Sequence, residues 1–91
     1  MEIIREAVAG SLESSDVLVT VSPAHGVEID LTSSVESYYG DSIRSTIRSV
    51  LEDMGVANAR VEAVDHGALD CTIKARLTTA VRRASKEVAE K

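Results

Sequence analysis

The chain is poor in the residues that carry most protein chemistry. It has one cysteine, one proline, two tyrosines, and neither tryptophan nor phenylalanine. A lone Cys71 excludes an internal disulfide and gives no reason to place the chain in an oxidising compartment. No apolar run approaches the roughly 20 residues that span a bilayer. The first residues lack the basic, apolar and small-residue regions of a signal peptide, so the expectation is a soluble cytoplasmic protein without a membrane partner. Positive charge is scarce too. Residues 1–70 hold 4 basic and 13 acidic side chains, residues 71–91 hold 6 and 2, and the net charge is −5. An acidic body with no basic stripe among stacking aromatics excludes nucleic acid as an expected partner.

What is present is 44% apolar material, drawn from Val, Leu, Ile and Ala. Ninety-one residues of it make one domain, residues 1–91, because a second core cannot be built from so little. Val17, Val19 and Val21 fall on one face of a strand, Ser22-Pro23-Ala24-His25-Gly26 supplies turn residues, and Val27, Ile29 and Leu31 resume the alternation. A hairpin is the expected result. Residues 33–39 stay open between strand and helix, since Ser33 and Ser34 are also good helix caps.

After Gly40, Asp41 or Ser42 caps an expected helix whose stripe is Ile43, Ile47, Val50, Leu51 and Met54, with Gly55 placed for a C-terminal cap. A second hairpin is expected from Ala59–Val64, the turn Asp65-His66-Gly67, and the alternation of Leu69, Cys71, Ile73 and Ala75. From Leu77 the period changes, and Leu77, Ala80, Val81, Ala84 and Val88 read as a C-terminal helix whose end, residues 83–91, is expected to be a mobile tail. The fold class is therefore α+β. Two ββα units form a four-stranded, largely antiparallel sheet with two helices on one face. An all-helical bundle fits poorly with the clean alternation of residues 16–32.

The segment before the first expected strand is distinctive. Val8-Ala9-Gly10-Ser11-Leu12-Glu13-Ser14-Ser15-Asp16 gathers three serines and two carboxylates with no His, Lys or Cys nearby to act as base or nucleophile. A serine there carries chemistry only by being modified. The run resembles the Gly-[Ser/Thr]-Leu-Glu-Ser-x-Asp segment of the acyl carrier (gamma) subunit of citrate lyase. The similarity extends in order to Ser33-Ser34-Val35-Glu36, Tyr39-Gly40-Asp41-Ser42-Ile43-Arg44, Gly67-Ala68-Leu69-Asp70-Cys71 and Ala75-Arg76-Leu77.

That resemblance implies an attachment loop within residues 1–16 and a covalent prosthetic group of the phosphopantetheine type, phosphoribosyl-dephospho-coenzyme A, on a serine. Matching Glu13-Ser14-x-Asp16 to the motif puts the phosphodiester on Ser14. Ser15 ranks second: the family often has glycine or another small residue there, and a second hydroxyl is not excluded chemically. The Ser11 position varies between serine and threonine. The resemblance further implies a non-catalytic carrier of acetyl and citryl thioesters in citrate fermentation. Its implied partners are a prosthetic-group transferase, the alpha (acyl transferase) subunit and the beta (citryl lyase) subunit, with magnesium needed at the lyase subunit and not on this chain.

The remaining reactive side chains have plainer readings. Cys71 falls on the apolar face of the expected strand, where a thiol is inert, so the acyl-bearing sulfur has to come from the attached arm. His25 and His66 are read as exposed turn residues without a metal, and Asp65 and Asp70 as groups that satisfy the second turn. Two alternatives remain: the carrier of a citramalate lyase or malonate decarboxylase, or an unmodified adaptor module with a phosphorylatable serine loop.

Overall fold

The computed structural model describes residues 1–33 and 36–85, with the backbone alone described for 36–38. The elements are β1 (Ala7–Gly10), β2 (Val17–Ser22), β3 (Val27–Ser33), α1 (Glu36–Asp53), β4 (Ala59–Asp65) and α2 (Asp70–Ala84). Four strands form one sheet in the order β1-β2-β4-β3. Two of its three pairings are antiparallel, β1 with β2 and β2 with β4, and β3 runs parallel to β4.

Period-two alternation puts one face of the sheet in the core. Val17, Val19 and Val21 on β2 stand level with Asp65, Ala63 and Val61 on β4, and all six are buried. Leu31 joins them from β3 and Ala9 from β1. Both helices pack on this face. α1 presents Ile43, Ile47, Val50 and Leu51, and α2 presents Ile73, Leu77, Ala80, Val81 and Ala84, each set at the i, i+4, i+7, i+8 spacing of a helical stripe. The other face of the sheet carries Arg60, which ion-pairs with Glu28, Asp30 and Glu62 across β3 and β4.

The four-stranded sheet with two helices on one face agrees with the expected fold class, but several expected elements differ in the structure. β2 and β3 do not form a hairpin, because β4 lies between them. Alternation fixes which face a strand buries and not which strand lies beside it. β4, with Ala59, Val61, Ala63 and Asp65 buried on the core face, takes the centre, and α1 is the crossover that joins parallel β3 and β4. No second hairpin forms, and Asp70–Ala75 is the start of α2. Ile73 serves both an alternating and a helical pattern, but Leu69, Cys71 and Ala75 are exposed, whereas Ile73 continues the buried stripe of Leu77, Ala80 and Val81. The fourth strand is instead β1, inside the segment expected to be loop, so the connection between β1 and β2 shortens to residues 11–16.

α1 begins at Glu36 and runs through a buried Gly40, so neither Asp41 nor Ser42 caps it. Ser33 closes β3, and residues 34 and 35 lie outside the described residues. Gly55 closes the helix as expected. It sits at φ +69 while its N–H reaches Glu52 O at 3.0 Å and that of Val56 reaches Leu51 O at 2.8 Å, the paired bonds of a Schellman cap. At the far end of the chain, Arg83 and Ala84 are the last residues of α2, and Ser85 is fully buried in a bridge to Ile3. The rest of the expected tail, residues 86–91 including Val88, lies outside the described residues.

Candidate functional site

The serine loop is the tip of the β1–β2 hairpin. Its neck is closed by Gly10, at φ +99 opposite Leu18, where an added Cβ would stand 1.8 Å from Val17 O. Only glycine permits that approach of the two backbones. At the tip, Asp16 N–H donates to Glu13 O at 3.1 Å, leaving Ser14 and Ser15 as the corner residues of a turn. Ser15 is the one non-glycine residue with positive φ among the described residues, at +65.

Asp16 organises the loop. Its Oδ2 accepts the Ser11 hydroxyl at 2.6 Å and Arg76 Nη2 at 2.9 Å; its Oδ1 accepts the backbone N–H of Val17 at 2.7 Å and Arg76 Nε at 3.0 Å. The guanidinium meets the carboxylate as a two-pronged fork, a geometry that a lysine cannot reproduce. These hydrogen bonds, the one from Arg76 first and those from Ser11 and Val17 after it, hold the Asp16 carboxyl well below the usual carboxylate range. The Asp16 side chain is 13% exposed and that of Arg76 43%.

A second clamp comes from the turn after β4. Ser15 N–H donates to His66 O at 2.7 Å, and His66 N–H returns to Asp16 O at 2.9 Å. That turn is shaped by buried Asp65, whose Oδ2 accepts the Ser33 hydroxyl at 2.8 Å and Gly67 N–H at 3.2 Å, and whose Oδ1 accepts Ala68 N–H at 3.0 Å. Asp65 thus satisfies the turn backbone, as expected. Exposed His66 contributes its backbone to the site, and exposed His25 lies at the other end of β4, beside Gly26, which Asn58 and Ala59 engage.

The three serines therefore differ. The Ser11 hydroxyl is committed to Asp16. Ser14 and Ser15 are both exposed, and neither hydroxyl has a hydrogen-bond partner among the described residues, but Ser15 is tied through its N–H to His66 and held in the left-handed region. Cys71 is a correction. It is exposed in the first turn of α2 rather than buried on a strand, so burial gives no ground for calling its thiol inert. Gly10 stands in the serine run and Arg76 in the Ala75-Arg76-Leu77 segment of the sequence, but the neck and the fork that they form are seen only in the structure. Arg76 lies 60 residues from Asp16, with no local spacing rule to join them.

The chain matches the acyl carrier family model described as malonate decarboxylase delta subunit (MdcD) over residues 4–84. It is 57% identical over 88 residues to the citrate lyase acyl carrier protein of Streptococcus mutans serotype c, covering 94% of this chain and 86% of that one. The chain belongs to the citrate lyase acyl carrier protein family. Its similarity to the citrate lyase acyl carrier protein of Treponema denticola is 49% over 87 residues, covering 96% of this chain and all of that one. Among solved structures, it shares the fold of a chain in a Pseudomonas malonate decarboxylase hetero-tetramer in complex with malonate, with a TM-score of 0.72 at 16% identity over 93% of both chains. This member of the family is thus an α+β domain built on a sheet and not an all-helical bundle.

Proposed function

We propose that this chain is the non-catalytic acyl carrier of a citrate lyase complex, bearing phosphoribosyl-dephospho-coenzyme A through a phosphodiester to Ser14. The observation that carries this reading is the geometry of the hairpin tip in a member of this family. Ser14 is an exposed corner residue with an uncommitted hydroxyl, on a loop pinned on both flanks by the Asp16–Arg76 fork and the His66 backbone. Such a loop gives a modifying transferase a fixed serine to address, and it fits a bulky group that projects away from the sheet. Ser15 serves as the turn residue. Its positive φ explains why glycine suits that position, and its tethered N–H makes Ser14 the freer of the two.

When bound, the group supplies the sulfhydryl on which acyl groups are held as thioesters. The chain's own residues present it. Gly10 and Asp16 fix where the tether starts, and the rigid sheet behind them keeps that origin constant while the tether sweeps between the sites of the alpha and beta subunits at high effective concentration. The carrier binds and delivers; no group in the loop is arranged as base and nucleophile.

The malonate decarboxylase carrier is the second reading, favoured by the description of the family model and by the shared fold. The identities near 57% with citrate lyase carriers weigh for citrate. Reconstitution with citrate lyase alpha and beta subunits tests the choice. The modified chain restores citrate-dependent formation of oxaloacetate and Ser14→Ala does not. Modified chain that supports malonate decarboxylation and not citrate cleavage overturns it.

A further inference from the structure

Three guanidiniums follow one another along the flank of α2 that packs on β1. β1 is an end strand of the sheet, so this flank lies beside a free edge. Arg76 stands at the Ser14 end, where its Cδ passes 3.4 Å from the point that a Cβ on Gly10 would occupy. It gives Nε and Nη2 to Asp16, and its Nη1 has no partner among the described residues. Arg83 is two turns on along the same face, about 10 Å down the helix axis, and its Nη1 donates to Val8 O at 2.8 Å. Arg5 closes the row, its Nη1 donating to Arg83 O at 2.9 Å and to Ser85 O at 3.1 Å. Backbone carbonyls thus hold Arg83 and Arg5 in place without neutralising them. Both residues are exposed, and neither has a carboxylate partner among the described residues, exposed Glu6 included. Arg60 on the open face of the sheet is the contrast, surrounded by three carboxylates.

We propose that this row is a phosphate-binding strip for the Ser14 arm, with Arg76 at its head and Arg83 and Arg5 holding the diphosphate section along the edge of β1. The inference rests on the carrier reading above. The donor set fits the group, because the arm is anionic at its serine phosphodiester and at its diphosphate, and the planar fork of arginine matches phosphate oxygens. Anchoring helps as well. A guanidinium already fixed on a backbone carbonyl gives up little rotamer freedom when it takes an anion. One exposed ion pair is weak in water, but a group tied to Ser14 is present at the strip at an effective concentration on the order of millimolar. The strip therefore holds the anionic section, and the uncharged end beyond the diphosphate is the part that sweeps between partner sites. Arg83 and Arg5 thereby set the side of the domain from which the sulfhydryl departs.

The test compares amide NMR spectra of the full chain with and without the arm, after intact mass and peptide mapping have established the arm on Ser14. The natural chain, Arg83→Gln, Arg5→Gln and Arg82→Gln are each measured in both forms. Arg82 is exposed and one residue from Arg83, on the neighbouring face of α2, so its loss removes the same charge without touching the strip. The expected result is arm-dependent shifts at Glu6, Val8 and Thr79 in addition to residues 11–16. They are lost in Arg83→Gln and in about 1 M salt, where the screening length is about 3 Å, and are kept in Arg82→Gln. Arg5→Gln serves as the second variant should Arg83→Gln lose its dispersed spectrum. Shifts confined to residues 11–16 overturn the strip and leave the carrier reading intact. Shifts at Val8 and Thr79 that survive the strip variants and high salt, or that Arg82→Gln removes as fully as Arg83→Gln does, also overturn it. Absence of an arm on Ser14 in chain made beside its transferase overturns the carrier reading and this inference with it.

Discussion

Arg76 Nε and Nη2 hold Asp16 Oδ1 and Oδ2 at 3.0 and 2.9 Å, joining the middle of α2 to the last residue before β2. The pair sits at the edge of solvent, where ion pairs contribute little to stability. Its effect is positional: it sets where the hairpin tip, and with it Ser14, lies on the sheet. Arg76→Lys keeps the charge and loses the fork. It is expected to leave the chain folded by circular dichroism while slowing attachment of the prosthetic group to Ser14 in a timed transferase assay. An unchanged rate would contradict the positional role.

The same pair gives a pH dependence with a definite sign. The carboxyl of Asp16 is held below its unfolded value of about 3.9. Its contribution is therefore complete above roughly pH 5 and is lost as the pH falls toward the lower folded value. The difference in melting temperature between the natural chain and Asp16→Asn is expected to be constant from pH 6 to 8 and to shrink below about pH 4. A difference that grows on acidification would contradict the assignment.

Backbone conformation at the hairpin predicts opposite outcomes at two neighbouring sites. Gly10→Ala drives a Cβ into Val17 O and is expected to cost about 2–3 kcal/mol by denaturant titration. Ser15→Gly relieves a left-handed residue and is expected to change stability by less than about 1 kcal/mol, with modification of Ser14 retained.

Asp65→Ala leaves the N–H groups of Gly67 and Ala68 and the Ser33 hydroxyl without their acceptor. The expected loss is about 3 kcal/mol, with faster hydrogen exchange at Gly67 and Ala68 and, through the His66 clamp, at Ser15. Protection that is unchanged at Ser15 would separate the turn from the loop.

How far the sequence could be read follows from the range of each signal. The stripe of α1 and the cap at Gly55 were legible because helical spacing and chain termination are local. The start of α1 was not, since Gly40 reads as a breaker until its burial is known. Alternation in β2 and β3 correctly gave their buried faces, but the neighbour of each strand is decided by β4, which arrives after α1. Ile73 fits two periods, and only its continuity with Leu77, Ala80 and Val81 separates them. In the site, the dense run of hydroxyls and carboxylates marked the loop. The partners that shape it, Arg76 and the His66 turn, come from distant elements and are joined to it by the fold alone.

The proposed carrier role depends on a coenzyme A-like arm on Ser14. The most direct measurement is intact mass with peptide mapping on the protein isolated from its native host together with its complex. The expected result is the mass of a phosphoribosyl-dephospho-coenzyme A adduct on the peptide that contains Ser14, and its loss in Ser14→Ala. A loop that is unmodified, or that carries phosphate alone, in material from an active complex would contradict it.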